Sequence, residues 1–358
     1  MDKQILLSYF PKITVNRYQQ LLAVFYSLDE VWKANLEELK KSKWNEEIIT
    51  EFINWRKKID EDKIQKILDI ENIRCITKDN PEYPELLKNI YDPPFCLFVR
   101  GKIKKGFNLA VVGTRKYTPY GKQVTEELVS ELALQGVNII SGLAFGIDGI
   151  AHSVTISHHG HTVAVLGSGI NKSHIYPSVH SGLSEKIIEM DGAIISEYPP
   201  GALPSKFTFP RRNRIIAGMS LGTLVIEAPE KSGALITAEC ALNDGREVFA
   251  IPQNITSHTA VGPNNLIKMG AKMVTSAKDI LEALNLQDIE KYVTNKQILP
   301  ESPAEARLLE YLSRQPLHVD ELTKKSKLPS PEVNATLTMM EMKGKVRNVG
   351  NMNYVLSR

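Results

Sequence analysis

Hydrophobic residues recur at two different spacings along the chain, and the spacing changes near residue 108. In the first 80 residues they recur every three or four positions, for example over 17–28 and again over 48–59. This period places them on one face of a helix. We therefore expect residues 1–80 to form a small, all-helical domain, which ends at a cluster of prolines over 81–94.

From residue 108 onward, short β-branched runs alternate with amphipathic stretches of helical length. Such alternation predicts βαβ units and an α/β fold with a parallel, doubly wound sheet, here over residues 81–285. The predicted strands are 95–99, 109–112, 137–140, 162–166, 193–195, 223–226, 247–250 and 272–275.

The last part of the chain has a third pattern. Residues 286–302 are polar and are predicted to be a linker. Residues 303–358 contain three helical stretches, 304–313, 319–325 and 330–343, followed by a two-stranded ribbon. Three helices and a β-ribbon in about 55 residues are typical of a winged helix-turn-helix domain.

Small and flexible residues follow most of the predicted strands. Gly113 follows the first strand of the α/β region, Ser141 and Gly142 follow the second, and 167–169 (Gly-Ser-Gly) follow the third. Open α/β sheets bind ligands at the carboxyl ends of their strands. These loops are therefore the expected site, with a simple βα turn as the alternative for each one alone.

Composition and charge narrow the class of protein. A chain of 358 residues with 42% hydrophobic and 24% charged residues is not disordered, and it contains no 18-residue apolar stretch that would span a membrane. The start lacks a secretory signal, and the three cysteines and eight histidines show neither a disulfide nor a zinc pattern. We expect a cytoplasmic protein without a metal or cofactor.

Positive charge is concentrated in two windows, although the net charge is only +3. No acidic residue lies between Asp92 and Glu126, where seven lysines and arginines occur, and none lies between Tyr198 and Ile226, where four occur. Segregated charge of this kind favours a surface that attracts a polyanion, and a solvated basic loop is the alternative.

The residues 204–216 (PSKFTFPRRNRII) combine two aromatic rings with four positive charges and no acid. Cations follow a nucleic-acid backbone while an aromatic face stacks on a base, so this stretch predicts a single-stranded nucleic-acid site. We expect one of Phe207 and Phe209 in the core and the other at the surface. Arg214 has an internal alternative, an ion pair with Glu197 or Glu227.

A second loop, Lys231-Ser232-Gly233, stands before a predicted helix and could hold a phosphate through backbone donors. It lacks the GxxxxGK[ST] spacing of a Walker A loop, so ATP hydrolysis has no support. A plain polar loop is the alternative for this stretch.

Taken in order, the motifs resemble one family, DNA-processing protein A, also called Smf. The matching blocks are 112–115 with 118–121, 141–152, 165–169 with 176–177, 196–201, 209–218, 232–238 and 245–252. They occur in the order of the family and cover roughly residues 80–275. The flanks also resemble the family, with a helical domain of the sterile-alpha-motif type before them and a winged helix after them.

The resemblance implies an extended Rossmann-like domain that is not an enzyme, binds single-stranded DNA, forms a homodimer and passes the strand to the RecA recombinase during natural transformation. It also implies phosphate contacts from Arg115, Lys206 and Lys231 and base stacking by Phe209. The full set of implied DNA-binding residues is Gly113, Thr114, Arg115, Gly167, Ser168, Lys206, Phe209, Arg211, Arg212, Asn213, Lys231, Ser232 and Gly233.

Two other functions are compatible with parts of the chain. Residues 218–227 loosely resemble the PGGxGTxxE motif of the lysine-decarboxylase-like (LOG) nucleotide phosphoribohydrolases, with Glu227 at the glutamate position. That interpretation leaves the winged helix and the basic stretch unexplained. A duplex-binding transcription factor would instead leave the whole central domain without a role.

Overall fold

The computed structural model describes residues 1–286, 302–312, 317–343, 345–348, 350 and 352–356. It divides into two compact units, residues 1–287 and 288–358. Apart from residues 286 and 302, the predicted linker lies outside the described residues.

Short capped helices build the N-terminal part of the first unit. They are α1 (Lys3–Ser8), α2 (Val15–Leu22), α3 (Leu28–Lys33), α4 (Leu36–Lys40), α5 (Glu46–Arg56) and α6 (Glu61–Ile70). Side chains such as Thr14, Asn35 and Asp60 accept hydrogen bonds from the first backbone N–H groups, which sets where these helices begin. The rings of Phe10 and Phe52 pack at the centre of this layer.

The expectation of an all-helical segment up to residue 80 is wrong at its end. Residues Arg74–Thr77 form a strand, β1, which pairs antiparallel with β2 (Cys96–Gly101). Only Ile76 of the four is buried. A strand this short, with one buried position, does not repeat often enough to show the period of two by which strands are recognised.

The central sheet confirms the α/β prediction, and each predicted strand is present to within two residues at either end. After β2 the strands are β3 (Asn108–Val112), β4 (Asn138–Ser141), β5 (Thr162–Val165), β6 (Ala193–Ser196), β7 (Gly222–Val225), β8 (Glu247–Ala250) and β9 (Lys272–Met273). The helices are α7 (Glu85–Lys88), α8 (Pro119–Leu134), α9 (Ile147–Ser157), α10 (Ser181–Glu189), α11 (Thr208–Gly218), α12 (Gly233–Asn243), α13 (Val261–Lys268) and α14 (Ala277–Ala283).

Strands β3 to β9 are parallel, and the order across the described sheet is β1-β2-β6-β5-β4-β3-β7-β8-β9. Helices cover both faces, so Val163 and Val165 pack in one core cluster and Ala164 in the other. The chain runs outward from β3 to β6 and then returns to β7 on the other side of β3. This reversal opens a crevice at the carboxyl ends of β3 and β7.

The second unit has the winged-helix pattern. Its helices are α15 (Pro303–Leu309), α16 (Val319–Ser326) and α17 (Ser330–Met342), and its strands are β10 (Leu317–His318), β11 (Val346–Asn348) and β12 (Asn353–Leu356). The strand order is β10-β12-β11. The core includes Leu308, Leu322 and Leu337. The buried Glu305 carboxylate accepts from the ammonium groups of Lys343, at 3.3 Å, and Lys345, at 2.7 Å.

Candidate nucleic-acid interface

Three segments that are distant in sequence meet around Phe209 at the carboxyl edge of the sheet. The Arg115 guanidinium, on the loop after β3, lies 5.5 Å from the centre of the Phe209 ring. The Tyr176 ring lies 5.4 Å from the same ring, tilted by 37° to it. The backbone of Gly167 also packs against it, because a Cβ there would lie 3.1 Å from the Phe209 ring. A cation and two aromatic rings therefore form one cluster.

The loop that carries Arg115 is held in place by its neighbours. The Thr114 N–H donates to the backbone oxygen of Glu227 at 2.7 Å. Gly146 packs so closely that a Cβ would lie 2.2 Å from the Thr114 oxygen, and its φ of +80° is one that L side chains rarely adopt. Gly113 also has no room for a side chain, because a Cβ would lie 2.5 Å from Ile147. The backbone beneath the Arg115 side chain is thus rigidly packed.

Other predicted side chains extend the cluster with positive charge. Lys206 is exposed and its ammonium group lies 5.1 Å from the ring centre of Phe207, which is 74% exposed. Phe209 is half-buried, so neither phenylalanine lies in the core, although one was expected there. Lys231 and Gly233 are exposed at the start of α12, and the Ser232 hydroxyl accepts from the Ala234 N–H at 3.3 Å.

Arg212 lies beneath this surface and is only 5% exposed. Its guanidinium donates to the backbone oxygens of Gly142, in the loop after β4, and of Val165, the last residue of β5. Burial lowers the pKa of Arg212 to about 10, and the Asp148 carboxylate opposes that shift. Asp148 also accepts from the Gly142 N–H at 3.0 Å. Arg212 therefore joins loops from below and does not face solvent.

Two more predicted residues are internal. The Asn213 amide donates to the backbone oxygen of Gly233 at 3.0 Å, which fixes the start of α12 against α11. The Ser168 hydroxyl donates to the backbone oxygen of His174 at 3.1 Å and is buried. Both support the loops that carry the exposed groups.

A four-member charge network lies on the other side of α11. Arg214 pairs with Glu197 and, at 3.3 Å, with Asp92, so of its two possible partners it takes Glu197. Arg211 approaches the same carboxylate at 3.7 Å and keeps about a third of its side chain exposed. Burial raises the pKa of Glu197, and the two arginines oppose that shift.

Glu227, at the crevice between β3 and β7, is a structural part of the site that sequence reasoning left out. Its carboxylate is fully buried and accepts from the Thr118 N–H at 2.9 Å, the Thr118 hydroxyl at 2.6 Å and the Thr259 hydroxyl at 3.1 Å. It lies beside a cavity of about 500 Å³. Because both the backbone and the side chain of Glu227 hold the loop 114–118, it positions Arg115 from within.

Tyr176 is the other contributor that the motifs did not single out as a binding residue. It lies next to Pro177 in the closing turn after β5, and the sequence contains nothing that links this turn to α11. Within the described residues no helix has the length and apolar character needed to cross a membrane, and no group of three metal-binding side chains is found.

The fold and these side chains define an α/β protein with a basic, aromatic surface at the carboxyl edge of its sheet. The family model for DNA recombination-mediator protein A matches residues 74–285, beginning at the first residue of β1. A model for the DprA winged helix domain matches residues 294–351. The chain belongs to the DNA recombination-mediator protein A family, also known as DNA-processing protein A or Smf.

Individual relatives agree with this assignment. DNA processing protein DprA of Bacillus subtilis is 44% identical over 223 residues, which are 62% of this chain and 74% of that protein. Protein Smf of Escherichia coli is 40% identical over 285 residues, 77% of this chain and 76% of that protein. The family is one of DNA processing and recombination mediation, not of enzymes, and the phosphoribohydrolase alternative is set aside.

Two solved structures are similar to the chain. DNA processing protein A from Streptococcus pneumoniae superposes with a TM-score of 0.66 at 34% identity, covering 78% of this chain and 95% of that one. DNA processing protein A from Helicobacter pylori gives a TM-score of 0.53 at 29% identity, covering 60% and 96%. The latter structure is described as showing a single-stranded DNA binding mode of that protein.

Proposed function

We propose that this protein binds single-stranded DNA, independently of base sequence, at the surface around Phe209. The observation that carries the proposal is the position of the half-buried Phe209 ring between Arg115 and Tyr176 on packed backbone. A ring held in this way offers a stacking face to any base. The exposed cations Lys206 and Lys231 lie on neighbouring segments and supply phosphate contacts.

The experiment that tests this is a fluorescence titration of the full chain with labelled oligo-dT and with duplex of the same length, at two salt concentrations. We expect tighter binding of the single strand and a strong dependence of its affinity on salt. Equal affinity for both forms, or no binding, would contradict the proposal. Release of a free base from a nucleoside monophosphate, lost in Glu227→Gln, would instead favour the phosphoribohydrolase.

The proposal includes delivery of the strand to the RecA recombinase in the cytoplasm during natural transformation. Its support is the family assignment together with three free cysteines, Cys75, Cys96 and Cys240, as in a reducing compartment. The test is RecA filament formation on DNA coated with single-strand binding protein. We expect this chain to shorten the lag before filaments form, and an unchanged lag would contradict delivery.

We also propose a homodimer. Met269 and Met273 are 78% and 56% exposed, and they lie just before and on β9, the outer strand of the described sheet. Exposed apolar side chains at a sheet edge favour association. Light scattering is expected to give twice the mass of the chain, and Met269→Lys to give the monomer. A wild-type monomer at micromolar concentration would contradict this.

For the winged helix we propose a role other than reading duplex DNA. Helix α17, which corresponds to the recognition helix of this fold, contains no lysine or arginine and exposes Met339 and Met342. Lys343 and Lys345, which precede β11, are engaged by the buried Glu305. Cations are what a helix needs to approach two phosphate backbones. The duplex arm of the titration tests this, and tight duplex binding would contradict it.

A further inference from the structure

A cavity of about 480 Å³ lies between the N-terminal helices and the loop that follows β6. Phe10 and Ile13 line it from the N-terminal side, Phe95 from the residue before β2, and Tyr198 and Pro200 from the loop. Small-molecule pockets in proteins range over about 300–1,000 Å³ and are mostly apolar with a few polar groups. The cavity therefore has the size and walls of a ligand site.

This cavity is the next opening along the same edge of the sheet. Strand β6 is the neighbour of β5, and the loop after β6 rests on the turn after β5. Two hydrogen bonds join the two segments: the Gly169 N–H donates to the Ala202 oxygen at 2.8 Å, and the Gly201 N–H donates to the Asn171 side chain at 2.9 Å. The turn that carries Gly167 and the loop that lines the cavity are therefore directly connected by hydrogen bonds.

Arg211 lines the cavity from α11, the helix that also carries Phe209. Residues two apart on a helix point in different directions, so Arg211 faces the cavity while Phe209 faces the other surface of α11. Arg214 occupies the space between Glu197 and Asp92, so Arg211 reaches Glu197 only at 3.7 Å and remains partly exposed. Arg211 keeps about a third of its side chain exposed at the cavity, whose wall also includes its ion-pair partner Glu197. A cation beside aromatic walls is the combination that binds a nucleotide of a single strand.

We propose that this cavity holds one nucleoside of the DNA strand bound at Phe209, with Arg211 on the adjoining phosphate. The inference rests on the proposed function and extends it, because it gives the N-terminal helices a direct share in DNA binding. Tyr198, which is partly exposed, accepts any base by stacking, while Phe10 and Phe95 are buried and form the apolar floor of the cavity. The added contact therefore increases affinity without adding sequence preference.

Cross-linking tests the proposal on the full chain. Oligo-dT carrying a single 4-thiothymidine, moved one position at a time, is bound, irradiated and digested, and the linked peptides are identified by mass spectrometry. We expect one position to link to residues 8–14, 95 or 198, displaced along the strand from the position that links near Phe209. Links confined to the surroundings of Phe209 would overturn the cavity assignment and leave the proposed function standing. Absence of binding would overturn both.

Two variants separate a bound nucleoside from a structural effect. Tyr198→Ala removes an aromatic wall and is expected to weaken oligo-dT binding roughly five-fold or more, with an unchanged salt slope because no cation is lost. Tyr26→Ala, at a tyrosine that is 99% exposed and outside the cavity, is the matched control. Ile13→Trp fills the cavity and is expected to abolish the cavity cross-link while the Phe209 cross-link persists. Unchanged affinity and cross-links in both cavity variants would overturn the proposal.

Discussion

Replacing Arg115 by alanine tests whether this side chain contacts a phosphate. Arg115 is exposed, and its guanidinium lies 5.5 Å from the Phe209 ring centre, beside the proposed base. Its removal leaves the loop intact, because that loop is held by Thr114, Thr118 and Glu227 through bonds that do not involve the Arg115 side chain. We therefore expect Arg115→Ala to weaken DNA binding through the lost charge alone, without a change in the loop.

The expected salt dependence of binding follows from the number of exposed cations that are proposed to contact phosphates. Arg115, Lys206, Arg211 and Lys231 are exposed or partly exposed, which corresponds to four phosphate contacts. Each contact with a single strand contributes about −0.7 to the slope of log K against log salt, so we expect a slope of about −2.8. Between about 50 and 200 mM salt the wild-type affinity then falls roughly 50-fold, and that of Arg115→Ala roughly 20-fold.

Fluorescence anisotropy of labelled oligo-dT at several salt concentrations measures both quantities. Arg74→Ala is the control, because Arg74 is also exposed, pairs with Glu82 at 2.6 Å and lies on β1, an outer strand of the described sheet. It is expected to leave affinity and slope unchanged. A weakened Arg115→Ala with the wild-type slope would refute the reasoning, since a lost phosphate contact must release one counterion fewer.

Three further predictions concern the Phe209 ring, the buried Arg212 and the buried His152 of α9. Phe209→Ala is expected to weaken oligo-dT binding by about 1–3 kcal/mol and to leave the salt slope unchanged. Phe107→Ala, at a phenylalanine that is 41% exposed, is the control. A changed slope in Phe209→Ala, or an equal loss in the control, would count against stacking. Arg212→Met is expected to destabilise the fold by about 3–5 kcal/mol in urea denaturation, because the buried oxygens of Gly142 and Val165 lose their donor and the buried Asp148 carboxylate loses a nearby positive charge. Adding Asp148→Asn is expected to recover the part of the loss that is due to charge, and no recovery would contradict that part of the account. Burial lowers the pKa of His152 from 6.5 to about 3, so between these pH values the unfolded chain binds a proton that the folded chain does not, and stability falls as the pH is lowered. Between pH 6.5 and pH 5, urea denaturation is expected to show a stability loss about 1.6 kcal/mol smaller in His152→Leu than in the wild type, and an equal loss would contradict this account.

The strands could be located from sequence because the parallel sheet is covered on both faces. Strands β3 to β8 are then short apolar runs, as in Val111–Val112 before Gly113, and they are bounded by turn residues. Strand β9 was located although both of its residues are exposed, whereas β1, of which only Ile76 is buried, was missed. Its pairing with β2 is a long-range contact that no local pattern indicates.

The basic stretch on α11 contains three arginines whose exposure could not be predicted from the sequence. These are Arg211, Arg212 and Arg214. In the structure Arg211 is partly exposed, Arg212 is buried, and Arg214 forms an ion pair with Glu197. Successive residues of a helix point in different directions, and which direction is the interior depends on what packs against the helix. The backbone oxygens that accept hydrogen bonds from Arg212 belong to Gly142, just after β4, and to Val165 of β5. Both are far from Arg212 in the sequence.

The sequence by itself determined the α/β class, the positions of most strands and the family, because these depend on local periodicity and on short motifs in a fixed order. Only the tertiary structure decided which cations face solvent, that Tyr176 joins Phe209, and that Glu227 holds the Arg115 loop. These contacts join segments far apart in the chain, and they form only when parallel strands bring their carboxyl ends to one edge. The surface around Phe209 is therefore a product of the sheet's topology as much as of its residues.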